Sequence, residues 1–350
     1  MAQKKKKKRS AGFKAFMLLL AVVCLIAAYF ALMYASDNYI PNFRNETVVY
    51  VRPETTAEEV YVALIQEAGV KRPYSLNHAF KQKCVAGNLK PGRYEIKPEY
   101  TSVYVARMLN NCWQSPGKLV LSGTMRKNEQ LASKISNQLM IDSLAVIDAL
   151  NDKELLAKYG FTPRNVFSLF IPDTYEMYWT ATMEDVLSKQ KQAYDNFWTD
   201  DRLAKARKQG LTREQVSVLA SIVKGETNYE PEMPKIAGVY LNRLHKGMKL
   251  QADPTIAYCL NYDVYRIMNK HLKIDSPYNT YMYAGLPPGP IAVPTKACLE
   301  AVLNPEGDYL FFCANSTFDG SHLFAKTYGD HLKNAKAFQK ALNNQAKAQK

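Results

Sequence analysis

Twenty-one consecutive residues without a charge, Ala15 to Ala35, constrain this chain more than any other feature. The run is rich in Leu, Ala, Val and Phe. A helix through it, at about 1.5 Å per residue, is roughly 30 Å long, the hydrocarbon thickness of a bilayer. Lys4 to Lys8, Arg9 and Lys14 precede it, and Asp37 and Glu46 follow. A cleavable signal peptide has a similar leader, but its apolar region is about 7–15 residues long and ends in small residues. Here the run is longer, and Met33 and Tyr34 stand in those places. The pattern predicts an uncleaved transmembrane helix over 15–35, a basic cytoplasmic tail over 1–14, and the remainder of the chain outside the inner membrane, in periplasm or extracellular space. The tail carries half of the formal net charge of +14. The body is then only mildly basic, so the lysine cluster is a topological marker and no nucleic-acid partner is expected.

Beyond the apolar run the sequence predicts an α+β protein. Residues 36–46 form a polar tether that spans at most about 40 Å when extended. Residues 47–113 are expected to have a strand, helix, helix, strand order, of which the sequence marks β-rich Thr47 to Val51, a helical pattern from Thr56 to Glu67 and an alternating Arg93 to Ile96 after the turn Lys90-Pro91-Gly92; a last helix covers Val103 to Asn110. Residues 118–340 make a mixed, mainly helical second domain. It contains a Pro-Asp-Thr-Tyr loop at 172–175 and a hairpin pairing Tyr309–Cys313 with His322–Ala325 across Asp319-Gly320. Six cysteines are too few for a disulfide scaffold, although Cys84 and Cys112 are candidates for one bridge within the small unit. No C-x-x-C or His/Cys cluster has zinc spacing, so no metal site is expected. His322 and His331 come near each other after the hairpin, where a hydrogen-bonding role outweighs metal binding.

The chemistry concentrates after residue 211. Thr212 is a helix N-cap, Gln215 completes a capping box, and Leu211 is placed to staple onto Val216. The apolar face Val216, Leu219, Ala220, Val223 continues into Glu226 and Thr227. A carboxyl group at the end of a buried stripe has its pKa raised, as a general acid at neutral pH requires. The competing reading is a glutamate that emerges where the helix frays. The next helix starts near Pro234, stops at Gly247 and has Ile236, Val239, Tyr240 and Leu244 as its core face. Leu250-Gln251-Ala252-Asp253-Pro254-Thr255 then holds a carboxylate before proline. Residues 276–291 are a rigid loop carrying Ser276-Pro277-Tyr278-Asn279-Thr280-Tyr281 and Gly285-Leu286-Pro287-Pro288-Gly289-Pro290-Ile291. Its Tyr and Asn suit sugar rings in a groove, against the alternative of a proline-stiffened surface loop. G-x-S-x-G, H-E-x-x-H, phosphate-loop and dinucleotide motifs are missing, and no cofactor is expected.

Together, Ser221-Ile222-Val223-Lys224-Gly225-Glu226-Thr227, the 250–255 element, the two 276–291 motifs, Pro172-Asp173-Thr174-Tyr175 and His322-x-Phe324-x-x-Thr327-x-x-x-His331 resemble the endolytic murein transglycosylase family. The resemblance implies an inner-membrane lytic transglycosylase with a periplasmic catalytic domain. It would cut within glycan strands, terminate their elongation and have peptidoglycan synthases as candidate partners. It makes residues 47–113 a LysM-like module and Glu226 the catalytic residue. Gln251, Asp253, Asn279 and Tyr281 become substrate-binding or groove-shaping residues. Two departures stand out: Lys224 where the family often has an acid, and Ala292-Val293-Pro294-Thr295 where it usually has Asn-Pro-Gly. A lysozyme-like hydrolase using Glu226, Asp253 and water, and a non-catalytic glycan-binding scaffold, are the alternatives.

Overall fold

The computed structural model describes residues 11–348, so the lysine-rich part of the expected tail lies outside the described residues. The chain forms two compact units. One runs to Gly117 and includes Glu176–Thr180; the other comprises Lys118–Tyr175 and the chain from Ala181 onward. No sheet among the described residues has more than two strands.

The first unit begins with α1 (Ala11–Asn38), a helix long and apolar enough to cross a membrane. β1 (Thr47–Val51) pairs antiparallel with β2 (Gly92–Ile96), with Thr47 opposite Ile96 and Val51 opposite Gly92. Between them lie α2 (Ala57–Glu67), capped by a Thr56–Glu59 box, α3 (Pro73–Gln82) and the single turn α4 (Val85–Asn88); α5 (Ser102–Asn110) follows. Strand alternation sends Val49, Val51, Tyr94 and Ile96 inward onto Val60, Leu64, Leu76, Val105 and Leu109. Cys84 and Cys112 are both free and exposed.

The expected tether is not a tether. Helix α1 continues through Asn38, and Asp37, Asn42 and Phe43 are buried. The Asp37 carboxylate accepts from Ser75 Oγ at 2.5 Å and lies 2.6 Å from His78 Nδ1. Asn42 accepts from the Arg72 N–H and donates to the Arg72 carbonyl and Ser102 Oγ. Polar residues after an apolar run read as a solvated link, but here each has a buried partner 30 or more residues away.

The second unit is mainly helical. Strands β3 (Gly117–Val120) and β4 (Thr174–Met177) lie where the chain passes between units, so the 172–175 element is half strand and not a pure loop. Helices α6 (Asn128–Ser136), α7 (Ser143–Asn151), α8 (Lys153–Ala157), α9 (Met183–Phe197) and α10 (Asp200–Lys208) lead to α11 (Arg213–Glu226). Then come α12 (Met233–His245), α13 (Asp253–Cys259), α14 (Lys296–Leu303), the hairpin β5 (Phe311–Ala314) with β6 (His322–Ala325), and α15 (Tyr328–Ala348). Helices α11, α12 and α14 pack together through Val216, Leu219, Val223, Ile236, Val239, Leu299 and Val302, all buried. The hairpin's first strand starts two residues later than expected and ends one later, with Phe311 opposite Ala325.

Glu232, at the start of α12, ties the hairpin to the helix trio. Its carboxylate accepts from the His322 backbone N–H at 2.9 Å and lies 2.8 Å from His322 Nδ1. Truncating the ring leaves a buried carboxylate oxygen without its partner. His322→Ala is therefore expected to destabilise the protein by about 1–3 kcal/mol. An unchanged denaturant midpoint in His322→Ala would show that the contact is dispensable.

Candidate active site

Glu226 is the last residue of α11, whose N-terminal capping box forms between Thr212 and Gln215. The periodicity that buries Val216, Leu219, Ala220 and Val223 carries Glu226 to the wall of a cleft. The Tyr240 hydroxyl, one turn short of the end of α12, donates to Glu226 Oε1. Burial pushes the Glu226 carboxyl up to about 7. The Tyr240 hydrogen bond and the Arg243 charge oppose that rise, and the nearby Asp253 charge reinforces it. Tyr240 is itself pushed well above its usual range by burial and then by Glu226, so it stays a donor.

Arg243 lies one turn beyond Tyr240 and is buried. Its Nε donates to the Leu310 carbonyl at 2.7 Å and a terminal nitrogen to the Leu250 carbonyl at 2.6 Å. It thereby fastens both the hairpin and the 250–255 element to α12. A second set of bonds joins that element to the 276–291 loop. The Gln251 N–H reaches the Thr280 carbonyl at 3.1 Å, the Ala252 N–H reaches Thr280 Oγ1 at 3.0 Å, and the Thr255 and Thr280 hydroxyls meet at 2.9 Å. The outcome sets Tyr281 beside Asp253, its hydroxyl donating to Oδ1 at 2.6 Å.

The cleft has two lobes that share Glu226 and Asp253. One, of about 320 Å³, is lined by Tyr240, Arg243, Gln251, Tyr281, Phe312 and His331. The other, of about 210 Å³, runs past Lys224, Tyr262 and Ile291–Val293 to Arg126. Tyr265, fully exposed, stands on its rim. Ser221 Oγ accepts from the Ile291 N–H at 3.0 Å, and the Val293 N–H reaches the Met125 carbonyl at 2.9 Å. Residues Ile291 to Val293 are thus a pinned, buried wall.

Of the residues expected to act together, Glu226, Gln251, Asp253 and Tyr281 share this cleft. Asn279 does not reach it. It is fully buried, its amide nitrogen donates to the Leu272 and Ile274 carbonyls, and its Oδ1 accepts from the Tyr281 N–H. It shapes the loop that carries Tyr281 and has no free polar atom for a ligand. Tyr240 had been legible only as a core residue, and Arg243 not at all. The available signal was their spacing: an arginine three residues after a tyrosine on an apolar helix stripe needs buried acceptors. His322 and His331 keep separate roles, His331 stacking on Phe311 with ring centroids 5.4 Å apart.

Gly225 explains how α13 comes so close to α11. A Cβ there would fall on the Pro254 side chain. Gly225→Ala gains helix propensity of about 1 kcal/mol, but overpacking costs about 1–3 kcal/mol and moves Asp253 away from Glu226. The variant is expected to melt earlier and turn over more slowly. Wild-type melting and turnover together would contradict the packing argument.

The YceG-like family model matches residues 49–337. An endolytic murein transglycosylase of Bacillus subtilis is 34% identical over 220 residues, covering 58% of this chain and 60% of its own length. One of Streptococcus pneumoniae is 24% identical over 365 residues, covering 92% of this chain and 64% of its own. The chain thus spans under two thirds of the length of these curated relatives. A crystal structure of a YceG-like protein from Listeria monocytogenes superposes with a TM-score of 0.55 at 27% identity, covering 82% of this chain and 98% of that one.

Proposed function

Because this chain belongs to the YceG-like family, we propose that it is a membrane-anchored lytic transglycosylase that cuts MurNAc–GlcNAc bonds within peptidoglycan glycan strands. One observation carries the reading: Glu226, one of the two carboxyl groups lining the cleft, has its pKa raised by burial to about 7, so it carries a proton near neutrality and loses it easily. Glu226 gives that proton to the glycosidic oxygen as the C1–O bond breaks. Positive charge develops on the MurNAc ring. The Glu226 carboxylate, favoured by the Tyr240 hydroxyl, then takes the proton from the C6 hydroxyl of the same sugar. O6 closes on C1, and the product is a 1,6-anhydroMurNAc end. The nucleophile belongs to the substrate, so the second carboxylate of an ordinary glycosidase is not needed.

Gln251, Asp253 and Tyr281 line the lobe that would hold one side of the scissile bond, and the exposed Tyr265 ring gives a sugar face something to stack on. The first unit is read as a LysM-like module. Its two strands bracketing α2, α3 and the short α4, and a cleft of about 760 Å³ walled by Pro53, Thr56, Tyr61 and Phe80, support glycan binding there. Helix α1 anchors the chain in the inner membrane with the N-terminus cytoplasmic and the rest periplasmic. Its continuation into the module keeps that glycan site near newly made strands, which suits termination of elongation and cooperation with peptidoglycan synthases.

Mass spectrometry of fragments released from peptidoglycan by the wild type and by Glu226→Gln tests this. Anhydro-ended internal fragments from the wild type alone are expected. Reducing ends would make the protein a hydrolase in which Asp253, in the same cleft, is the second carboxylate. Equal release by Glu226→Gln would remove Glu226 from the chemistry, and no release by either would leave a glycan-binding scaffold.

A further inference from the structure

Tyr74, in the first turn of α3, is 63% exposed, yet its hydroxyl lies 3.1 Å from that of Tyr29 and 3.6 Å from Met33 Sδ. Both partners are inside the uncharged run that ends at Ala35. Met33 is about 3 Å and Tyr29 about 9 Å of helix rise inside that end. Further along α3, Ser75 and His78 meet Asp37, beyond the end of the run. The first turn of α3 is therefore level with the outer edge of the apolar segment.

The height of that turn is fixed. Asp37 and Asn42 are buried and bonded to α3 and its preceding residue, and a terminal nitrogen of Arg72 donates to the Ile40 carbonyl at 2.9 Å. Around it, Tyr34, Tyr39 and Ile40 are 56%, 71% and 46% exposed, and Lys71 is exposed beside them. Rings with an apolar body and a hydroxyl tip, next to a lysine, match the lipid headgroup layer. Clustered on a surface facing only water, they are unexplained.

We propose that Tyr74, with Tyr34, Tyr39, Ile40 and Lys71, forms a seat on which the first unit rests in the phospholipid headgroup layer. It rests on the reading of α1 as a membrane span. Lys81, which lines the 760 Å³ cleft, stands about 10 Å along α3 from Tyr74. The seat sets the height of the glycan site above the bilayer.

The test uses the full chain in nanodiscs made with lipids brominated high on the acyl chain, which quench nearby tryptophan. Leu25→Trp, Tyr74→Trp and Lys81→Trp are each compared with the parent chain, so that Trp113, Trp179 and Trp198 subtract out. Leu25→Trp and Tyr74→Trp are expected to lose most of their added emission, and Lys81→Trp to keep it. Quenching at Leu25→Trp with none at Tyr74→Trp would leave the anchor standing and overturn the seat. Equal quenching at Tyr74→Trp and Lys81→Trp would mean that the headgroup layer does not single out the Tyr74 turn and would overturn the seat. No quenching at Leu25→Trp would overturn the anchor and the seat with it.

Discussion

Glu226→Gln is expected to lower turnover on glycan strands by about 10²–10⁴-fold, the usual contribution of a positioned general acid and base. The amide keeps the side chain's shape and its bond to Tyr240 but has no proton to give. The wild-type profile should show an alkaline limb in kcat/KM near pH 7, because the acid is competent only below a carboxyl pKa raised to about 7. Above it, activity falls about tenfold per pH unit. Tyr240→Phe removes a donor that favours the carboxylate, so its limb should move to higher pH. A limb that stays in place would mean that Tyr240 does not set the acidity of Glu226.

The same shift has a consequence for stability. The folded pKa of Glu226 lies above the ordinary carboxyl value of 4.5, so the folded state binds more protons between pH 4.5 and about 7. Stability attributable to this group is full below 4.5 and is lost as pH rises through 7. Glutamine carries no such penalty. At pH 8 the inactive Glu226→Gln variant is therefore expected to be more stable than the wild type, by up to about 3 kcal/mol, with the difference vanishing toward pH 4. Thermal unfolding of both proteins across that range measures it.

Arg243→Met is expected to destabilise the second unit by about 3 kcal/mol and to abolish most turnover. The buried guanidinium serves the Leu310 and Leu250 carbonyls at once, and charged hydrogen bonds of this kind contribute about 1.5–3 kcal/mol each. A methionine fills similar volume and leaves both acceptors unpaired. Arg243→Lys should recover little, since an ammonium point charge cannot repeat a fork aimed at two carbonyls. Removing the positive charge should also push Glu226 further up. Arg243→Met unfolding at the wild-type denaturant midpoint would contradict this role.

Glu226 was legible because a helix repeats every 3.6 residues: the stripe from Val216 to Val223 points at the position one turn on. The strands of the first unit were legible from β-branched and aromatic Thr47–Val51 and from Arg93–Ile96, which alternates with period two. What composition could not reveal is where a polar side chain finds its partner. Asn279 on a polar, aromatic loop reads as a sugar contact, but its amide is used inside the loop. Asp37 and Asn42 read as a solvated link, but Ser75, His78, Arg72 and Ser102 satisfy them from distant sequence positions. Arg243 was hidden in the same way, its acceptors being backbone carbonyls that no side-chain pattern marks.

The most direct test of a single-carboxylate mechanism is to run the reaction in ¹⁸O-water and weigh the new MurNAc ends. A nucleophile drawn from the substrate's own C6 hydroxyl predicts anhydro ends without ¹⁸O and without added water mass. One ¹⁸O at each new reducing end would mean that water attacks, and Glu226 would then be half of an ordinary hydrolase pair.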